Sequence, residues 1–420
     1  MPDGLNLQAK CRINENGDGD RFVGIKADSH DQRVFFPMGY NLPSSEEEIR
    51  TDILLLISVL SEFSEDRDRL LQMDEFEQPQ SVNCPINAYM NIIRYYLDNG
   101  YYREKIAVRK TSDHGKIDFV TSLRKNVSFF QEDGSPFFGS GYTVHATENT
   151  DNNFITRIHR YCVYEAFKKL GWLFTAGMIQ DPHIELEHDK FLDTLNRKLR
   201  NTNNEAEKIL FCDMIKMIEF LDEPENNDKF YFGTDRFEYV WERLIDTVFG
   251  VRNKSEFFPK TKWNLRYSPQ KSNYALEPDT IMIHNNKIYV LDAKYYRYGV
   301  TGLSKHLPES TSINKQITYG EYIAKQERYK RQYGDPVPVY NAFLMPYNKE
   351  NNKFGISDYY GNIGEATSNW KHNQIPYERV QGIVVDIRFL MHNYHGTTQS
   401  KIMKMAEAID KALNENAIVD

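Results

Sequence analysis

Asp279, Asp292 and Lys294 are the side chains of this sequence whose types and spacing best fit a catalytic role. Two carboxylates can share one Mg²⁺ ion, which prefers oxygen ligands and keeps several waters. Such an ion can orient a phosphate, acidify a water and stabilise the charge of the transition state. Lys294 would position or deprotonate the attacking water, or stabilise the phosphorane. The set predicts metal-assisted hydrolysis of a phosphodiester. The alternative is a surface ion pair without catalytic function.

A β-hairpin is the element that must bring these residues together. Two apolar, β-branched runs, 280–283 and 288–291, flank the polar pair 285–286, which is typical of a two-residue turn. In that register Asp279 lies opposite Asp292, at a Cβ separation of roughly 4.5–5.5 Å. The residue two positions beyond Asp292 then shares its face of the strand, because side chains alternate along a strand.

The order of these residues resembles the PD-(D/E)xK nuclease signature. Pro278 and Asp279 supply its first part, and Asp292-Ala293-Lys294 supply its second part. The superfamily usually adds an acidic residue from a preceding helix, and the apolar spacing of residues 235–249 predicts such a helix. Glu238 and Glu242 lie four residues apart on its flank. We expect Glu238 to complete the metal site with Asp279 and Asp292, with Glu242 as the alternative helix acid.

Gln316 belongs to a segment, 314–322, that resembles the glutamine-bearing helix following the lysine strand in several branches of this superfamily. The resemblance implies that Gln316 hydrogen-bonds the nucleophilic water or a DNA phosphate. A polar helix residue without catalytic function is an equally good interpretation.

The run from the helix at 235–249 through Lys315-Gln316 resembles the LlaJI-type restriction endonucleases, which are similar to McrC nuclease subunits. The segments 96–102 and 115–118 and the strand candidates 340–347 and 381–386 extend the likeness to about three quarters of the chain. The resemblance implies a DNA endonuclease of a phage-defence restriction system that uses Mg²⁺, with Mn²⁺ as a substitute. It also implies double-stranded DNA as substrate, an AAA+ GTPase (McrB-like) as partner and paired nuclease domains for double-strand cleavage.

Charge along the chain is compatible with a DNA substrate. The net charge is −8, but residues 254–331 carry 14 Lys and Arg against 7 Asp and Glu. Such a basic excess contacts phosphates and contributes affinity without sequence information. The DNA contacts that we expect are Lys271, Tyr295, Arg297, Lys305 and Lys315.

The N-terminal half could either bind a partner or read DNA. Residues 45–77 are strongly acidic, which favours a protein partner over DNA, although a solvated helix surface is the simpler interpretation. Arg124 and Lys125 are candidates to contact the partner's nucleotide site, whereas exposed basic pairs usually have no such function. Two alternatives remain, a stand-alone type II enzyme that reads its target through this half, and a catalytically silent DNA-binding or scaffold subunit.

Composition excludes several other classes. Hydrophobic residues make up 40 % of the chain, which excludes global disorder. The four cysteines lack zinc-site spacing, and no P-loop motif is present, so the chain does not itself hydrolyse nucleotide in that way. No run approaches the 18 apolar residues of a membrane span, and we expect a cytoplasmic protein.

The predicted fold class is α/β (α+β), with a restriction-endonuclease-like C-terminal core in which helices flank a mixed central sheet. The acidic linker at 222–228 suggests one domain boundary. We expect an N-terminal α+β domain at 1–153, a helical connector at 154–228 and the nuclease domain at 229–420. Helices are predicted at 45–72, 83–99, 154–170, 183–222 and 397–415.

Overall fold

The computed structural model describes residues 6–17, 21–28, 32–64, 84–125, 128–132, 134–138, 141–150, 153–174, 177, 179–222, 229–267, 271–272, 276–396 and 399–415. The chain forms two compact units. The helical unit comprises the described residues of Cys84–Lys229. The sheet unit comprises those of Asn6–Asn83 and Phe230–Asp420.

Helices and strands alternate along the described chain. The helices are α1 (Leu7–Lys10), α2 (Glu46–Ser64), α3 (Ile86–Asn99), α4 (Phe119–Lys125), α5 (Phe154–Leu170), α6 (His188–Asn201), α7 (Glu205–Leu221), α8 (Phe237–Phe249), α9 (Tyr298–Thr301), α10 (Ser310–Lys325), α11 (Glu327–Tyr333), α12 (Ile387–His392) and α13 (Gln399–Glu415). The strands are β1 (Cys11–Ile13), β2 (Val23–Asp28), β3 (Gln32–Phe36), β4 (Glu104–Ser112), β5 (Lys116–Ile117), β6 (Ser128–Phe130), β7 (Pro136–Phe138), β8 (Tyr142–Thr150), β9 (Lys229–Thr234), β10 (Lys262–Trp263), β11 (Lys271–Ser272), β12 (Thr280–His284), β13 (Lys287–Ala293), β14 (Val339–Tyr347), β15 (Tyr360–Ala366) and β16 (Val380–Asp386).

A five-stranded mixed sheet forms the centre of the sheet unit. Its strand order is β12-β13-β14-β16-β15. The pairs β13–β14 and β14–β16 are parallel, whereas β12 and β15 are antiparallel edge strands. The three inner strands are almost entirely buried, because helices cover both faces of the sheet. This arrangement confirms the predicted α/β fold with a mixed sheet flanked by helices.

The N-terminal residues belong to the sheet unit as well. Strand β9 pairs with β2 at the edge of a second sheet of order β1-β3-β2-β9. The backbones approach so closely that a Cβ on Gly24, at φ +143°, would lie 2.1 Å from the Phe232 carbonyl oxygen. The buried Asp52 carboxylate is 2.8 Å from Arg388 Nε and 2.7 Å from His392 Nε2. The expected division at 1–153 therefore does not coincide with the compact units, since residues 6–83 pack with residues 230–420.

The helical unit combines a helix bundle with a small sheet. Helix α3 packs against α5 and α7, and α6 packs against α7. Strands β4, β8 and β5 form a three-stranded sheet of order β4-β8-β5, and β6 and β7 form a separate hairpin. Asp118 ends the loop before α4 and accepts hydrogen bonds from the backbone N–H and the hydroxyl of Thr121, as a helix N-cap does.

Most of the predicted elements are present. Helices α3, α5 and α13 match the predictions closely, and α2 matches over 46–64, while 65–72 lies outside the described residues. The helical pattern at 183–222 is two helices, α6 and α7, which are separated at Thr202–Asn204. Strand β15, with its bulge between Asn362 and Gly364, was not predicted. No helix of the described chain is long and apolar enough to cross a membrane.

Candidate active site

The hairpin of β12 and β13, here called the acidic hairpin, has the predicted register. Ile283 pairs with Ile288 and Thr280 with Leu291, so that Asp279 lies one step before the first pair and opposite Asp292. The turn residues Asn285 and Asn286 have φ values of +46° and +63°. Both values lie in the left-handed region that a type I′ turn requires and that asparagine tolerates.

The three side chains lie together at one end of the acidic hairpin. Asp279 Oδ2 accepts a hydrogen bond of 2.8 Å from the Ala293 backbone N–H. Lys294 Nζ lies 2.6 Å from Asp292 Oδ2. Burial, and next the negative charges of Asp292 and Glu242, raise the pKa of Asp279 to about 8. Asp279 therefore keeps a proton near neutral pH, because two facing carboxylates repel each other.

Lys294 remains a cation in this environment. Burial works against its charge, but the adjacent carboxylate of Asp292, the hydrogen bond to it and the charge of Asp279 together raise the pKa of Lys294. The ammonium group also lies 5.9 Å from the centre of the Phe343 ring, whose strand position is paired with Asp292. The lysine is thus fixed at the end of β13 with its charge directed at the carboxyl pair.

Helix α8 supplies a third acidic side chain. Its apolar face is buried, and Trp241 Nε1 donates a hydrogen bond of 3.1 Å to the Leu344 carbonyl oxygen of β14. Burial, and next the charge of Asp292, raise the pKa of Glu242 to about 7, while Lys294 lowers it to a lesser degree. The structure thus brings Glu242 into electrostatic contact with the carboxyl pair. The charge of Glu238, one turn earlier, instead helps to raise the pKa values of Glu242 and Tyr295.

A second lysine, which the sequence analysis did not identify, holds the start of β12. Lys254 Nζ donates to the Asp279 carbonyl oxygen at 2.7 Å and lies 2.8 Å from Asp246 Oδ2. The other oxygen of Asp246 accepts a hydrogen bond of 3.1 Å from the Thr280 hydroxyl. This network joins α8 to the acidic hairpin. No spacing motif marks Lys254 in the sequence, because its partners come from two different elements.

Gln316 lies beneath the hairpin in a buried position on α10. Its Nε2 donates a hydrogen bond of 2.7 Å to the Val290 carbonyl oxygen. The NH₂ group of the Gln316 amide therefore faces β13. Its Oε1 is buried and has no hydrogen-bond partner among the described residues. One turn further on, burial and the charges of Asp292 and Asp279 raise the pKa of the Tyr319 hydroxyl. Helix α10 therefore covers the face of the sheet that carries the carboxyl pair.

The predicted DNA contacts occupy different environments. Tyr295 is only 7 % exposed, and its hydroxyl accepts a hydrogen bond of 2.7 Å from the Met38 backbone N–H. Such burial indicates a packing function for Tyr295 rather than a contact with DNA. Lys305 and Lys315 are exposed and Arg297 is half-buried, and Lys315 Nζ lies 5.7 Å from the Tyr319 ring. Lys271 belongs to β11, where it pairs with Trp263.

Arg124 and Lys125 belong to the helical unit. They form the last turn of α4, and both are exposed. The same short helix exposes Phe119, Val120 and Leu123 by 55, 62 and 49 %. An apolar face next to a basic end is a feature of protein interaction sites.

The carboxylate oxygens of Asp279 and Asp292 are suitable ligands for a divalent cation. Among the described residues, no group of three or more His, Cys, Asp and Glu side chains is arranged so that it could hold a metal ion. Mg²⁺, however, is usually bound through only one or two protein carboxylates together with waters and substrate phosphates. Asp279 and Asp292 meet that need, and a cation between them would relieve the repulsion that raises the pKa of Asp279.

Comparison with known proteins assigns the family. The model of the LlaJI restriction endonuclease family matches residues 22–363. The chain belongs to this family. It is therefore a nuclease of a restriction system, and the matched range includes Asp279, Asp292 and Lys294 as well as strands β2, β3 and β9.

Other comparisons add little to this assignment. A chain in a solved half-complex of Thermococcus gammatolerans McrB AAA+ hexamers with bound McrC is 15 % identical to this LlaJI-family chain. The match covers 94 % of this chain and 82 % of that one, with a TM-score of 0.36. No curated protein matches the sequence.

The raised pKa of Asp279 predicts a pH-dependent stability. An acid whose pKa is higher in the folded state than its ordinary value near 4 destabilises the fold increasingly as the pH rises between the two values. Asp279→Asn removes this charge and keeps an acceptor for the Ala293 N–H. In the presence of EDTA, we expect the variant to match the unaltered chain near pH 4 and to exceed its unfolding free energy by about 5 kcal/mol near pH 8.

Thermal and urea unfolding across this pH range would measure the difference. Glu407→Gln, at an exposed carboxylate of α13, is the matched control and should show a small difference that does not change with pH. A variant at position 279 that is less stable than the unaltered chain at pH 8 would contradict the assigned charge repulsion.

Proposed function

We propose that this LlaJI-family chain is a Mg²⁺-dependent DNA endonuclease whose cleavage site comprises Asp279, Asp292, Lys294 and Glu242. The observation that carries the proposal is the convergence of Asp279, Asp292 and Lys294 at one end of the acidic hairpin, where Asp279 accepts from the Ala293 N–H and Lys294 is paired with Asp292. A largely buried acid pair next to a fixed cation is costly for stability alone, whereas it suits a site that receives a metal ion and a phosphate.

Each residue of the proposed site has a separate task. Asp279 and Asp292 would hold Mg²⁺, with Mn²⁺ as a substitute. When bound, the cation would acidify a water and stabilise the charge that develops on the phosphate. Lys294 Nζ would orient the attacking water and stabilise negative charge on the phosphorane. The Glu242 carboxylate, with a pKa of about 7, is suited to accept a proton from that water at neutral pH.

Charge around the site supports DNA as the substrate. Residues 293–308, which follow Asp292, contain no Asp or Glu and include Lys294, Arg297 and Lys305. Lys315 lies over Tyr319 on the helix that covers the carboxyl pair. Phosphate groups could therefore approach the acidic hairpin along a surface without opposing carboxylates.

The choice of DNA would belong to a partner. We propose an McrC-like function, in which an AAA+ GTPase recognises and translocates DNA and this chain cuts it. The chain has no P-loop of its own, and the basic, apolar face of α4 with Arg124 and Lys125 would contact the partner. Pairing of two nuclease domains would give double-strand cleavage. The second candidate is a stand-alone type II enzyme, and a catalytically silent scaffold is the third.

Substitutions at the site test the chemistry. We expect Asp292→Asn and Lys294→Met each to lower the rate of plasmid cleavage by roughly 10²-fold or more, because they remove a metal ligand and the fixed cation. DNA binding should remain within about threefold, since neither variant adds negative charge. Rates are compared under the conditions in which the unaltered chain cuts.

The two helix acids provide a matched pair of variants. Glu242→Gln should reduce cleavage by about 10²-fold, whereas Glu238→Gln should change it by less than about threefold. A larger loss for Glu238→Gln would assign the helix acid to the other residue. Cleavage that persists in both Asp292→Asn and Lys294→Met would exclude the acidic hairpin from the mechanism.

Reconstitution tests the partner. We expect the purified chain with Mg²⁺ to give no site-specific fragments, and to give them when GTP and a McrB-like AAA+ GTPase from the same source are added. Replacing both Arg124 and Lys125 by Ala should weaken this stimulation by about tenfold, while Lys168→Ala, at an exposed lysine of α5, should not. Site-specific fragments from the chain alone would instead support the type II enzyme.

A further inference from the structure

A basic segment without any acidic residue precedes the acidic hairpin. Residues 257–276 contain no Asp or Glu but four basic residues, Lys260, Lys262, Arg266 and Lys271, in a chain of net charge −8. The segment also contains Trp263 and Tyr267. Basic side chains interleaved with aromatic ones are characteristic of surfaces that bind nucleic acid with unpaired bases.

The described part of this segment projects into solvent as a two-stranded ribbon. Strands β10 and β11 are antiparallel, with Lys262 opposite Ser272 and Trp263 opposite Lys271. Every residue from 260 to 267 is exposed. We call residues 260–267 and 271–272 the basic hairpin.

The aromatic side chains of the basic hairpin are unusually accessible. Trp263 is 60 % exposed and Tyr267 is 96 % exposed, and Leu265 between them is 45 % exposed. Large apolar side chains that are exposed together usually mark an interaction surface.

The base of the basic hairpin is anchored next to the proposed cleavage site. On one side Phe257 and Phe258 are buried, and Phe257 stacks on Tyr329 at a ring distance of 4.8 Å. The Leu276 backbone N–H then donates a hydrogen bond of 2.9 Å to the Pro259 carbonyl oxygen, which closes the segment. Asp279 follows three residues later. The base of the basic hairpin therefore lies close to Asp279 along the chain.

We propose that the basic hairpin contacts bases beside the cleaved phosphate, with Trp263 and Tyr267 stacking on bases that are unpaired or unstacked. Lys262 and Arg266 contact the neighbouring phosphates. The complementary charge favours DNA over a protein partner, because no carboxylate of the segment opposes the polyanion. This inference rests on the proposed nuclease function and extends it, since it names locally opened DNA as the form that the cleavage site receives.

Stacking on base faces has a definite consequence for selectivity. Every base has an aromatic face, so the contact adds affinity without reading sequence. This stacking adds affinity only where a base is not stacked between its neighbours in the strand. The chain should therefore bind a duplex with a central unpaired bubble more tightly than a fully paired duplex of equal length.

Binding by the full-length chain in EDTA, without cleavage, tests the proposal. The probes are a fully paired duplex and a bubble duplex that carries 2-aminopurine, a fluorescent adenine analogue, at an unpaired position. We expect the unaltered chain to quench 2-aminopurine and to prefer the bubble. Trp263→Ala and Tyr267→Ala should each weaken bubble binding by about tenfold, with little effect on the paired duplex, and Trp263→Ala should reduce the quenching.

Matched variants separate stacking from charge and from unfolding. Phe129→Ala, at an aromatic residue of the helical unit that is 61 % exposed, should leave both affinities unchanged. Lys262→Gln should weaken binding to both probes and reduce the slope of log affinity against log salt by about one. Circular dichroism checks that each variant is folded.

The outcomes distinguish this inference from the nuclease proposal. Quenching and bubble preference that are lost in Trp263→Ala support the inference even if the chain cuts no DNA. Equal affinity of Trp263→Ala and the unaltered chain for both probes, with unchanged quenching, overturns it even if cleavage is normal. Loss of partner assembly in Trp263→Ala without any change in DNA binding would overturn it in favour of a protein contact.

Discussion

The site of this chain depends on one constraint, an antiparallel hairpin that holds two carboxyl groups against each other. The turn at Asn285 and Asn286 sets a register in which Asp279 must face Asp292. Burial and mutual repulsion then raise the pKa of Asp279 to about 8, so the pair is unfavourable by itself. Lys294 and the Ala293 N–H partly offset this cost, because they pair with Asp292 and Asp279. The cation that we propose for this site would offset it further.

The surrounding structure prevents the hairpin from relaxing. Strand β13 lies between β12 and β14 in the sheet, so its backbone cannot shift without breaking two ladders. Trp241 joins α8 to β14, and Gln316 joins α10 to β13. The N-terminal residues reinforce the same region, since Tyr295, directly after Lys294, receives the Met38 N–H. Residues close to the N-terminus thus support a site that lies more than 200 positions later in the chain.

The parts that sequence reasoning predicted correctly are those with local signals. The hairpin register follows from two apolar runs that flank a two-asparagine turn, and the apolar stripe of α8 follows from helical periodicity. The packing of residues 6–83 with the nuclease core could not be predicted, because the β2–β9 pairing joins distant segments through backbone contacts that leave no spacing motif. Tyr295 was expected at DNA because of its basic neighbours, yet alternation along the chain places it opposite Lys294 and inside the core.

The sequence also does not decide between the two candidate helix acids, which lie one turn apart. Glu238 and Glu242 share a flank of α8, and periodicity alone does not decide between them. The decision comes from the rotation of the helix, which Trp241 and its bond to Leu344 determine. With that rotation Glu242 interacts with Asp292, whereas Glu238 lies near Tyr295.

We propose that the carboxyl pair of Asp279 and Asp292 exchanges a proton for a divalent cation. Calorimetric titration of the full chain with Mg²⁺ near pH 7, in two buffers of different ionisation enthalpy, measures the protons released on binding. The account predicts release of about one proton by the unaltered chain and clearly less by Asp279→Asn. Binding of Mg²⁺ without proton release, or equal release by the variant, would contradict it.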